Sequence, residues 1–565
     1  MFSTISRAAL AFTLALSARG ETVHVRVLAT TDLHGNIFPY DYYTSQPAPR
    51  GLAKIATLIG RERAANPNTL LLDCGDTVQG SPLETVHLAA MRAGKSARGP
   101  QPDPPQPDPM MLAMNRLGYD AMTVGNHEFD LGVADLDRAR RDAKFPWISA
   151  NIEGGSFQPY AIKTIAGVRV AVIGATTASV PSWEPAENFR GLRFTDAVEA
   201  VRRSVVEIQR KRSADVILVA AHTGIDRDAT TGALRTQDLP NENVAYQIAQ
   251  IPGVDAVVFG HTHNEVGEYR VGPVLLMQPR NWGMSLGEMD LTLDRLAGGW
   301  KLASKSSRVI PVTDATPADE AVLSLARPYH EAAERYLDTP VAQAPEAMSA
   351  ALARAEDTPV IDAIQAVQLE EARAQVSFAA AFDIGARLPK GAVTVRQIAA
   401  LYPYDNTLYA IETTGRVVRE VLEYSARYYN SCAQDCSHGP LINPTVYGYN
   451  YDIAEGVSYA IDLRRKPGER IVNLTWQGRP LNADQPLRVA INSYRAGGGG
   501  GYSMLRGAKV VWRSSEEVRE MIIRYYTARG TLKSSATGNW RVIPEEAHQE
   551  VVREAMEEAA RPRLK

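Results

Sequence analysis

A chain of 565 residues with 45% hydrophobic and 22% charged side chains is globular in composition and too long for one ordinary domain, so two are expected. Its net charge of -3 at pH 7 argues against a groove for duplex nucleic acid or a surface for anionic membranes. An anionic substrate must therefore be captured by local groups.

Residues 1–20 read as an export signal. Arg7 gives a modest positive start, Ala8 to Leu16 is a short apolar stretch, and small residues allow cleavage after Ala18 or Gly20. That stretch is too short to span a bilayer, and no later run reaches the length of a stable membrane span. The expected location is periplasmic or extracellular. Residues 21–312 then alternate strand-like and helix-like segments. Val23, Val25 and Val27 lead to Asp32; 69–72 leads to Asp76; 121–124 leads to Asn126; 216–221 ends at His222; and 254–259 ends at Gly260-His261. Short β-branched runs bounded by Gly or Asp are buried strands. Ligands that follow strand ends are expected to converge along one edge of a sheet. A Pro-rich stretch, 100–109, interrupts this unit and reads as an extended surface spacer. Residues 313–356 favour helix and form a connector, expected as one long helix. A second α/β unit spans 357–545, with tyrosines and glycines concentrated in two places, and 546–565 reads as a charged, solvated tail. Of the three cysteines, Cys432 and Cys436 are close enough for a small disulfide. Cys74 reads as a buried small hydrophobe.

Asp32-Leu33-His34, Gly75-Asp76, Gly125-Asn126-His127-Glu128, Ala221-His222 and Gly260-His261-Thr262-His263 are built from metal-ligand side chains, and they hold five of the ten histidines. Asp, Asn and His suit Mn²⁺, Fe²⁺, Zn²⁺ and similar ions. Asp32 and His34 lie two apart, and on an extended segment both would reach one face. Asp76 can bridge two cations, while Asn126, His222, His261 and His263 complete a set of seven ligands. Two cations held in this way are machinery for hydrolysing phosphate esters. His127 should point away from the ion that Asn126 holds, free to protonate a leaving oxygen, with Asp130 orienting its ring. Glu128 is expected to make structural hydrogen bonds.

These motifs, in this order, resemble the calcineurin-like metallophosphoesterases. More narrowly, Thr30-Thr-Asp-Leu-His-Gly-Asn36, Gly75-Asp-Thr-Val-Gln-Gly-Ser-Pro82 and Gly125-Asn-His-Glu-Phe-Asp130 are similar to the exported 5′-nucleotidase family. The resemblance implies an N-terminal four-layer α/β/β/α metallophosphoesterase domain and a C-terminal α/β nucleotide-binding domain. It implies two divalent ions (Mn, Zn, Fe, Co or Mg), one held by Asp32, His34, Asp76 and His263, the other by Asp76, Asn126, His222 and His261. His127 and Asp130 would be the catalytic pair. Phe38 to Tyr43, Leu401 to Thr407, Tyr449 to Asp452, Asn492 to Gly497 and Asn539-Trp-Arg541 are similar to the bacterial 2′,3′-cyclic-nucleotide 2′-phosphodiesterase/3′-nucleotidases. In that group two aromatic rings clamp the base, and the matching positions are Tyr449 and Tyr494, with Tyr451 an alternative to Tyr449.

The chain also departs from the pattern. The Gly-rich, Arg-ending loop of 5′-nucleotidases is replaced by Phe382-Asp-Ile-Gly-Ala-Arg387, and five glycines run from Gly497 to Gly501. Arg387 and Asn406 are the expected substrate contacts beside the tyrosines, and the glycine run is either a flexible loop or a close approach to ligand. The expected activity is hydrolysis of 2′,3′-cyclic nucleotides and 3′-nucleotides. Alternatives are 5′-nucleotidase or UDP-sugar hydrolase activity and, outside enzymes, a nucleotide-binding surface protein without turnover.

Overall fold

The computed structural model describes residues 21–93, 107–234, 239–404, 406–432, 436 and 439–560. The expected export signal, residues 100–106 of the Pro-rich stretch and the last five residues lie outside that range. Among the described residues, no helix is long and apolar enough to cross a membrane.

The first domain is built on two six-stranded sheets, not one. Four parallel strands of the first sheet run side by side: Thr22–Thr30, Thr69–Asp73, Ala121–Thr123 and Trp147–Ile148. The antiparallel strands Ser285–Leu296 and Gly299–Pro311 extend it on the other side of Thr22–Thr30. The second sheet has the parallel strands Val168–Thr176, Val216–His222, Ala256–Phe259 and Val274–Gln278 at its centre. The alternation along Thr22–Thr30 shows why the sheets pair. Val23, Val25 and Val27 are buried, while His24 and Arg26 stay accessible, as a period of two requires. Val25, Val27, Leu70 and Leu72 pack against Val170, Val172, Leu218 and Val258 of the second sheet in one apolar layer. The outer face of the second sheet is covered by the helix Ala197–Lys211, whose Val201, Val205 and Ile208 join that sheet's other core. The opposite outer face, through Leu28 and Leu71, packs with the helix Leu52–Ala65. This is the α/β/β/α layering. The candidate ligands therefore converge from the ends of two facing sheets, because each sheet buries one face against the other and leaves only the strand ends open at the seam.

The connector is not one long helix. Glu320–Leu337 is helical, buries Val322, Ala326, Tyr329, Ala333 and Leu337 along one stripe, and is followed by the strand Pro340–Ala344. The second domain has a five-stranded sheet in the order Asp452–Glu455, Val376–Ala380, Pro486–Asn492, Thr407–Thr414 and Lys509–Glu517. A four-stranded sheet holds Ser458–Asp462 and Trp540–Ile543. The expected solvated tail is, over Glu545–Ala560, a packed helix with Ala547, Val551 and Ala555 buried. The Glu554 carboxylate accepts from the backbone N–H groups of Leu441 and Ile442 at 2.6 and 2.9 Å. The helix buries only Ala547, Val551 and Ala555, with Val552 packed beside them, among many charges, a stripe too narrow to be read from the sequence alone.

Cys432 and Cys436 form a disulfide, and Cys74 is free and buried. Alkylation of the unfolded, unreduced chain is expected to label one thiol, and three after reduction. Three labels before reduction would show that the disulfide does not form.

Candidate metal centre and cleft

The two loops that follow Thr22–Thr30 and Thr69–Asp73 are laced together by their backbones. Asp32 N–H donates to Gly75 O at 2.8 Å, His34 N–H to Asp76 O at 2.9 Å and Gly35 N–H to Thr77 O at 2.8 Å. Asp32 and His34 are not on an extended segment. Both are left-handed, at φ 50 and 46, as are Asp76, His261 and His263 at φ 55, 79 and 55. Such backbone costs about 1–3 kcal/mol per non-Gly residue, and Asp and His bear it better than most side chains. Five candidate ligands share this conformation, so reach to a common point comes from tight turns and not from strand alternation.

Glu128 holds the second pair of loops. Its carboxylate accepts from the N–H groups of Asp76 and Gly125 at 2.9 and 2.7 Å and of Thr77 at 2.7 Å, which confirms a structural role. Gly125 is required by this closeness: a Cβ there would lie 2.2 Å from Asp76 Oδ1.

The candidate ligand atoms fall into two groups, Asp32 with His34 and His263, and Asp76 with His222 and His261. In the first, His34 Nε2 and His263 Nε2 converge to 3.1 Å, and His263 Nε2 is 3.5 Å from Asp32 Oδ1. In the second, His222 Nε2 lies 2.9 Å from Asp76 Oδ2 and 3.1 Å from Asn126 Oδ1. Electrostatics follow from this crowding. Burial raises the Asp32 carboxyl, but the His263 hydrogen bond and the charges of His222 and His263 outweigh it and bring it down to about 2. Asp76 is likewise buried yet lies well below the usual carboxylate range, chiefly through His222 and His127. Burial lowers His222, and the charge and hydrogen bond of Asp76 reverse this to about 9. His34 falls to about 4, through burial and then repulsion by His263. Buried carboxylates kept ionised, facing converging imidazole nitrogens, fit divalent cations.

His127 carries its own partner: Nδ1 lies 2.8 Å from Asp130 Oδ2, and the ring is T-shaped to His34 at 5.2 Å. Its backbone N–H donates to Asp76 Oδ1 at 2.8 Å. Asn126, His127, Asp130, His261 and His263 line a cavity of about 1020 Å³, to which the second domain brings Asn406, Ser493, Tyr494 and Glu517. The domains are joined beside it. Gln79 Nε2 donates to Glu517 Oε1 at 2.8 Å, and the Tyr409 hydroxyl donates to Trp183 O at 2.6 Å.

The expected substrate contacts divide. Asn406 and Tyr494 line the cavity; Tyr449 and Arg387 do not. Arg387 is exposed on a two-residue strand beside Met348–Ser349, bonded to Ser349, while Leu388 takes the inward position. Tyr449 is partly exposed and stacks on Tyr447, at 5.2 Å between centroids and 8° between planes. Tyr451 is withdrawn as a base contact: it is buried, stacked on Tyr428 at 4.8 Å, and its hydroxyl accepts from Tyr429. Gly497 and Gly499 of the glycine run line the cavity, and the run is also packed closely against protein. A Cβ on Gly499 would meet the Tyr494 ring at 2.5 Å, and one on Gly501 the Tyr424 hydroxyl at 2.0 Å. Trp183, Glu184, Glu242 and Glu517 also line the cavity, and no ligand-type motif marks them in the sequence.

Residues 25–265 match the calcineurin-like phosphoesterase family model and residues 340–507 the 5′-nucleotidase C-terminal domain. The chain is 31% identical to the trifunctional nucleotide phosphoesterase protein YfkN of Bacillus subtilis, over 92% of this chain but only 39% of that longer protein. It is 29% identical to the 2′,3′-cyclic-nucleotide 2′-phosphodiesterase/3′-nucleotidase of Salmonella typhimurium, over 95% of this chain and 91% of the relative. A Staphylococcus aureus structure with the provisional description 5′-nucleotidase, solved with alpha-ketoglutarate, is similar at a TM-score of 0.76 and 27% identity, covering 92% of this chain and 100% of that one. Two laced loops, two converging ligand groups and the two matched domains lead to one conclusion: the chain belongs to the calcineurin-like metallophosphoesterases, hydrolases of phosphoric esters, and is of the kind that carries a 5′-nucleotidase C-terminal domain.

Proposed function

We propose that this chain is an exported nucleotide phosphohydrolase with two divalent cations, acting as a 2′,3′-cyclic-nucleotide 2′-phosphodiesterase/3′-nucleotidase. One observation carries the reading: His263 of one candidate ligand group, His261 of the other and the His127–Asp130 pair line the same cavity as Tyr494 and Asn406 of the second domain. Asp32, His34, Asp76 and His263 would hold one cation, and Asp76, Asn126, His222 and His261 the other. When bound, such cations stabilise charge on the attacking and leaving oxygens of a phosphoryl group. His127 gives a proton to the leaving sugar oxygen, and Asp130 holds its ring in place through Nδ1. Tyr494 offers a ring face to the base, and Asn406, Ser493 and Glu517 of the second domain line the same cavity. The similarity to the Salmonella enzyme over nearly its whole length supports the 2′,3′-cyclic assignment, while the Staphylococcus structure favours a second reading, 5′-nucleotidase. The Cys432–Cys436 disulfide supports an oxidising compartment.

Initial rates with 2′,3′-cyclic AMP, 3′-AMP and 5′-AMP, with and without chelator, test this. The first two are expected to be turned over faster than the third, and chelator to abolish all release. A preference for 5′-AMP would move the assignment to 5′-nucleotidase, and no turnover of any of them would sink it. Base stacking is worth about 1–3 kcal/mol, so Tyr494→Ala is expected to raise KM for 2′,3′-cyclic AMP by on the order of tenfold or more. Hydrolysis of a small base-free phosphodiester should be unchanged. An equal loss on both substrates would indicate a packing defect.

A further inference from the structure

An imidazole that faces a cation with one ring nitrogen is fixed in tautomer and direction by whatever binds the other. Two of the candidate ligands are held by backbone: His34 Nδ1 lies 2.8 Å from the Gln79 carbonyl oxygen and His222 Nδ1 2.7 Å from that of Cys74. His261 is held differently, with Nε2 3.2 Å from the side-chain oxygen Oε1 of Glu242. Glu242 is itself anchored. Its carbonyl oxygen accepts from the Thr223 hydroxyl at 2.6 Å and from that of Thr177 at 3.2 Å, and Val244 N–H donates back to Thr223 Oγ1 at 2.9 Å. Thr223 directly follows His222, so the loop carrying Glu242 is tied to the same strand end as a neighbouring ligand. The His261 ring packs beside those of His222 and Trp183, at 5.2 and 5.6 Å between centroids.

We propose that Glu242 is the positioning residue of the second cation site. It accepts the Nε2–H of His261 and leaves Nδ1 as the nitrogen that joins Asp76 and His222 around a divalent cation. A carboxylate in this place also makes the imidazole a stronger donor. The proposal rests on the two-cation reading above but not on which ester is cleaved.

The test is calorimetric titration of the metal-free full-length protein with Mn²⁺, comparing wild type, Glu242→Ala and Glu242→Gln. Glu242→Ala is expected to weaken one of two Mn²⁺ equivalents by about 10–100-fold, the usual effect of losing such a partner, and to leave the other unchanged. Glu242→Gln keeps an oxygen acceptor without the charge and should fall between the two. Unchanged affinities in both variants overturn the proposal. So does equal weakening of both equivalents, or loss of one equivalent even at saturating Mn²⁺, which would make Glu242 a direct ligand. A wild type that binds fewer than two Mn²⁺ removes the underlying two-cation reading, and with it the proposal, so the two failures are distinguishable.

Discussion

Asp76→Asn is expected to lower turnover by on the order of 10²–10³-fold, in proportion to the several kcal/mol of charge stabilisation that a cation pair supplies. The side chain is buried at the seam between the two sheets, with Oδ2 at 2.9 Å from His222 Nε2 and Oδ1 accepting from His127 N–H at 2.8 Å. An amide of the same shape removes the charge that both proposed cations would share and leaves one oxygen in place of two. Structure should largely persist, since Glu128 and the backbone ladder hold the loop independently. The check is kcat together with metal content by elemental analysis. A folded variant with near-wild-type turnover and full metal content would falsify the bridging role.

His127→Ala is expected to lower kcat by about 10²–10⁴-fold, the usual range for a lost general acid or base, with metal content intact. His127 belongs to neither ligand group, and its Nδ1 is committed to Asp130. Loss of one metal equivalent would instead make His127 a ligand. Asp130→Asn separates orientation from chemistry: because Asp130 acts through the His127 ring, its loss should cost less than that of His127. An Asp130→Asn variant slower than His127→Ala would show that Asp130 has a role of its own.

Much of the site was legible because its chemistry is local in sequence. Asp-x-His, Gly-Asp, Asn-His-Glu and His-x-His each stand immediately beyond a run of β-branched or apolar residues, and strand ends are where α/β folds leave side chains exposed. What could not be read was how the strands were shared between sheets. Val27 and Val172 are equally apolar, and only packing shows that they face one another across two sheets. Tyr449, Tyr451 and Tyr494 show the same limit on a smaller scale. All three sit in tyrosine-rich motifs, yet one is stacked on Tyr447, one is buried against Tyr428, and one lines the cavity.

The sequence by itself determined the candidate ligand types, their order along the chain and the presence of a second α/β unit, because side-chain identity and period-two burial are written residue by residue. Tertiary structure alone decided the left-handed turns at Asp32, His34, Asp76, His261 and His263, the clamp of Glu128 on two loops, the place of Glu242 behind His261 and the withdrawal of Arg387. Each of these joins groups far apart in sequence or holds a backbone away from its intrinsic preference. Such arrangements persist only when distant hydrogen bonds and buried contacts offset their cost, and that balance exists only in the folded chain.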